Sequence, residues 1–94
     1  MKLKKRIKAF EIIKSGIHAI DPYALLKGGA PDDEFDSEIN SILNQLDRCN
    51  NAVDLAHIMA RVLSFAFSES FDYKLYIPFA NDMFESLKIN NVLK

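Results

Sequence analysis

The sequence predicts an all-α fold: a compact four-helix bundle with one short extra helical turn between the first and second helices. Three observations predict it. Apolar residues recur at steps of three and four along most of the chain, which is the spacing of one face of an α-helix. Only 3 Gly and 3 Pro punctuate the 94 residues, so a few long helices are favoured over many short strands. Hydrophobic residues make up 49% and charged residues of mixed sign 27%, which suits one core behind a charged surface. The length allows a single domain over residues 1–94.

The first helix is predicted from about Lys2 to Ile20. Leu3, Ile7, Phe10, Ile13, Ile17 and Ile20 share one face, with the lysines, Arg6, Glu11 and Ser15 turned away. Gly16 weakens its centre by about 1 kcal/mol relative to Ala. Asp21-Pro22 stops it, because a residue preceding proline is pushed out of the helical region. The same pair starts the extra turn over Tyr23–Leu26, with Asp21 as N-cap and Pro22 at the first helical position, and Gly28-Gly29 ends it.

After Ala30-Pro31, the acidic run Asp32–Glu38 leads into a second helix with Phe35, Ile39, Ile42, Leu43 and Leu46 inward. Asn50-Asn51 closes that helix. Acids in a first turn are stabilised by the helix dipole, by about 0.3–1 kcal/mol each. Asn51 caps a third helix predicted over Ala52–Phe71, apolar around more than half its circumference and therefore central. Residues 72–77 alternate apolar and polar; a lone strand has no partner, so the segment is expected to be an extended connector. Pro78 opens the last helix through Leu87, and residues 88–94 add a turn or fray.

Composition excludes several function classes. The single cysteine, Cys49, leaves no internal disulfide, and no unbroken apolar segment suits a signal peptide or a bilayer span, so a cytoplasmic soluble protein is expected. His18 and His57 lack ligand partners at metal spacing. The acidic run has no glycine within it and lacks the ligand spacing of a calcium loop. No nucleophile elbow or phosphate-binding glycine loop is present, and neither catalysis nor a cofactor is expected.

Net charge is −1 but polarised, with +5 over residues 1–31 and −6 over residues 32–94. Asp32, Asp33, Glu34, Asp36 and Glu38 are the candidate partner-binding residues. An aromatic-rich second half, from Phe65, Phe67 and Phe71 to Tyr73, Tyr76, Phe79 and Phe84, offers further interface material. Lys2, Lys4, Lys5, Arg6 and Lys8 could meet phosphates, but no second basic cluster or stacking platform supports nucleic-acid binding. A membrane-surface role for the first helix is set aside because the bundle core needs its apolar stripe. The expected partner is another protein, bound in an inhibitor or immunity-type role, with a second copy of the chain as one possibility; the alternatives are nucleic-acid binding through the basic first helix and a small molecule within the bundle.

The stretch Asp21-Pro22-Tyr23-Ala24-Leu25-Leu26, followed by Gly29-Ala30-Pro31-x-Asp33-Glu34-Phe35-Asp36-x-Glu38, resembles the YugE-like family of small bacterial helical proteins. The likeness covers about 25 residues closely. It implies a four-helix fold and a protein of unestablished function, with no catalytic residues to carry over. Within the motif, Asp21, Pro22, Leu25, Gly29, Pro31 and Phe35 are read as a structural corner, with Asp36 a second N-cap candidate.

Overall fold

The computed structural model describes residues 2–93. Four α-helices follow in order: α1 (Leu3–Ile20), α2 (Asp36–Leu43), α3 (Ala52–Phe67) and α4 (Ile77–Ile89). Single 3-10 turns lie at Pro22–Ala24, Leu46–Arg48 and Tyr73–Tyr76, and there is no strand among the described residues. The helices pack as a ring, α1 against α2 and α4, and α3 against the same two. The molecule measures 35 × 25 × 19 Å, and the four-helix bundle expected from periodicity is the fold.

Ala9, Ile13 and Ile17 of α1 are fully buried with Ile39 and Ile42 of α2, Leu55, Met59 and Leu63 of α3, and Ala80 and Leu87 of α4. The α1 stripe does not stay in this core along its whole length. Leu3 is 72% and Ile7 51% exposed, although both keep the helical spacing. The reason is rotation: at 3.6 residues per turn Leu3 and Ile7 lie about 80° and about 120° around α1 from Ile13, on the flank of the buried line Ala9, Ile13 and Ile17.

Several boundaries differ from the sequence expectation. Ser68 takes a left-handed φ of 53° and ends α3 at Phe67 rather than at Phe71. Glu69 N donates to Ser64 O and Ser68 N to Phe65 O, the paired bonds of a Schellman motif. The second helix stops at Leu43; Leu46 still reaches the core, but from a 3-10 turn. Residues 72–77 are not an extended connector. Asp72 accepts from Lys74 N at 3.0 Å and nucleates the 3-10 turn that runs into α4, a local side-chain bond overriding a weak strand pattern. The tail adds a turn: Asn91 is left-handed and Val92 N donates to Leu87 O at 2.8 Å.

Asn51 caps α3 as expected, its Oδ1 accepting from Asp54 N at 2.9 Å, while Asp54 accepts from Asn50 N in return. Asp36 is not a cap. It is the first residue of α2, behind Phe35 at the N-cap position, and its carboxylate turns to α1.

Candidate interaction surface

The corner after α1 carries the motif residues. Asp21 closes α1 in the left-handed region, and its carboxylate accepts from Leu26 N at 2.8 Å and Lys27 N at 3.1 Å. It therefore clasps the far side of the turn instead of capping the turn's first residues. Tyr23 and Ala24 also have positive φ, 58° and 53°, a backbone arrangement that costs energy in non-glycine residues and needs support from packing. The Tyr23 ring supplies some of it, lying 5.0 Å from Phe67 and 6.2 Å from Phe71 between centroids. Phe35 meets Phe67 edge-on at 6.3 Å, and Phe71 meets Tyr76 at 6.4 Å. Pro22 and Phe35 are buried, Leu25 is partly buried, Pro31 is exposed, and Gly29 has φ 101°. These aromatics thus pin the α1–α2 connection to the end of α3, and packing accounts for most of the aromatic-rich second half.

The five candidate acids separate into three environments. Asp36 and Asp32 both reach Lys14 of α1, at 3.1 and 3.5 Å. The Asp36 hydrogen bond, outweighing burial and aided by the Asp32 charge, holds the Lys14 ammonium above its ordinary value. Asp32 also lies 3.7 Å from His18 Nδ1. Part of the charge polarisation is thereby neutralised inside the molecule. Asp33 and Glu34 stand exposed in the approach to α2.

Glu38 faces the opposite side. With Ser37, Ser41 and Gln45 it forms one wall of an open groove of about 400 Å³, whose other wall is Arg61, Val62, Phe65 and Ala66 of α3. Arg61 donates to Gln45 Oε1 at 2.9 Å. Glu38 is half-buried, and its Oε2 is one of two buried side-chain polar atoms with no hydrogen-bond partner among the described residues; the other is His18 Nε2. Phe65 is 90% exposed at the groove rim, two residues after the fully buried Leu63 and on the opposite face of α3.

Other chemically capable residues do not converge. Burial, reinforced by the Asp54 and Asp47 carboxylates, pushes the Cys49 thiol up to about 11, so it is protonated at neutral pH and a weak nucleophile. His57 stacks on Tyr73 at 3.8 Å between centroids. No three His, Cys, Asp or Glu among the described residues group to hold a metal ion.

Sequence reasoning placed Glu38 in an acidic run without separating it from Asp36. The signal was the spacing of Glu38, Ser41 and Gln45, which puts all three on the face toward α3. Comparison of the chain with known protein families, with curated proteins and with solved structures found no match.

Proposed function

We propose that the protein acts by binding another protein, without catalysis of its own, and that the α2–α3 groove receives a cationic segment of the partner. An inhibitor or immunity-type role is the concrete form this takes. The observation that carries the reading is the pairing of a 90% exposed Phe65 with a half-buried Glu38 whose inner oxygen lacks a donor among the described residues. A buried acceptor left unpaired is costly, and a lysine or arginine from a partner would satisfy it. The same cation would lie over the Phe65 ring, and exposed aromatics of this kind dominate interface energetics. Val62 and Ala66 extend the apolar floor, and Asp33 and Glu34 add negative charge before α2. Membership of the YugE-like family, suggested by the Asp21–Glu38 motif, belongs to the same proposal and brings no catalytic group with it.

The test is affinity capture from nuclease-treated native cells with parent, Phe65→Ala and Glu38→Gln proteins. A stoichiometric protein partner that both substitutions release supports the reading. Retention of that partner by both variants, or no partner at all, overturns it.

A further inference from the structure

The end of the bundle where α1 begins has a character unlike the rest of the surface. Lys2, Lys4, Lys5, Arg6 and Lys8 fall within seven consecutive residues. Among the described residues no carboxylate lies at salt-bridging distance from Lys2, Lys4 or Lys5. Lys8 has only a long contact to Glu11, at 3.8 Å, and Arg6 donates to Asn44. Amid these cations Leu3 and Ile7, one helical turn apart, are exposed, and beside them opens a groove of about 320 Å³ floored by Phe10 and Leu43. The end of α4 shares this region, since Val92 and Leu93 line a cavity with Lys2, Lys5 and Asp47. Ile89, on the last turn of α4, is 71% exposed.

The core does not use Leu3 and Ile7, so the reason for setting aside a membrane-surface role of α1 does not hold for its first two turns. We propose that this end of the bundle docks on anionic lipid membranes. Leu3 and Ile7 enter the boundary between headgroups and acyl chains, and Lys4 and Arg6, which flank them on the helix, reach the anionic headgroups. Lys2 and Lys5, with no carboxylate at salt-bridging distance among the described residues, and Lys8, held only by its long contact to Glu11, add attraction of the loose kind a fluid charged surface requires. No helix of the described residues is long and apolar enough to cross a bilayer, so the contact is peripheral. Nucleic acid would match the cations equally well but gives no return for exposed aliphatic side chains, and its usual aromatic platform is replaced here by Leu3 and Ile7.

The full chain is floated with vesicles of phosphatidylcholine alone and with vesicles containing phosphatidylserine, at about 50 and about 200 mM salt. Binding is expected only to the phosphatidylserine vesicles, and weaker at the higher salt. Lys4→Glu with Lys5→Glu, and separately Leu3→Ser with Ile7→Ser, should each reduce it about tenfold or more. Both pairs are exposed, so circular dichroism should show an unchanged fold. Phe65→Ala, which tests the α2–α3 groove, should leave vesicle binding intact and so keeps the two proposals separable. Failure to bind phosphatidylserine vesicles at low salt overturns the inference. So does undiminished binding by the Leu3/Ile7 variant together with equal retention on DNA, which would make the cations a general polyanion surface.

Discussion

Gly16 of α1 lies so close to Met83 of α4 that a Cβ at position 16 would collide with the Met83 side chain, Cε first. Met83 is 3% exposed and packed between the helices, so its displacement is not free. Gly16 thus trades helix propensity for close approach of α1 and α4.

Gly16→Ala is expected to destabilise the fold by about 1 kcal/mol, the overpacking outweighing the gain in propensity. In a Met83→Ala background the same substitution should change sign and stabilise by about 0.5–1 kcal/mol. Denaturant unfolding of the four proteins in this cycle measures both values. Additive effects would mean that the two side chains do not compete for the same space.

Among the described residues Asp21 supplies the only side-chain acceptors of Leu26 N and Lys27 N. Asp21→Ala removes both bonds and leaves a left-handed alanine, so a loss of about 2 kcal/mol is expected. Asn tolerates the left-handed region and keeps one acceptor oxygen, so Asp21→Asn should lose about half as much. Equal losses for Ala and Asn would show that the carboxylate's second oxygen carries the turn.

Periodicity was enough to place Ile13, Ile17, Ile39, Leu55 and Leu63 in the core, because a helix face in a bundle has little choice of direction. It could not show where the core stops. The steps of three from Ile7 through Phe10 to Ile13 turn the face by about 120°, so Leu3 and Ile7 fall on the flank of the buried line of Ala9, Ile13 and Ile17. Boundaries set by one side-chain bond or one left-handed residue, at Asp72 and Ser68, were likewise invisible to apolar spacing. In the groove, Glu38 was visible as an acid but not as an acid with a buried, unpaired oxygen. That property depends on how α2 is rotated against α3.

Phe35 and Phe65 show the same limit in the form of a prediction. Both sit in apolar helical patterns, yet Phe35 is 1% exposed and Phe65 90%. Phe35→Ala should cost about 3–5 kcal/mol, enough to threaten folding of a domain this small. Phe65→Ala should change stability by no more than about 0.5 kcal/mol. Urea unfolding of the two variants checks both; a large loss at Phe65 would place its ring in the core and remove it from the groove.

Cys49 sets an alkaline limit on stability. Its folded thiol is raised to about 11 by burial first and then by Asp54 and Asp47, whereas an unfolded thiol titrates near 8.5. Between those values the unfolded chain has released a proton that the folded chain still holds. Stability is therefore fully present below about pH 8.5 and falls as pH rises toward 11. Tyr76, raised chiefly by burial, Tyr23, raised by burial and by Glu69, and Lys14, raised by Asp36, all act in the same direction at the upper end of this range. Because Cys49 is only partly buried, its share is about 1–2 kcal/mol. Unfolding free energies taken from pH 7 to 11 should fall more steeply for the parent than for Cys49→Ala by that amount. At pH 8 the parent thiol should react with an aromatic disulfide reagent about a hundredfold more slowly than free cysteine, since so little of it is thiolate. Parallel pH curves for parent and variant, with ordinary thiol reactivity, would place Cys49 in a solvated site without the carboxylate pressure of Asp54 and Asp47.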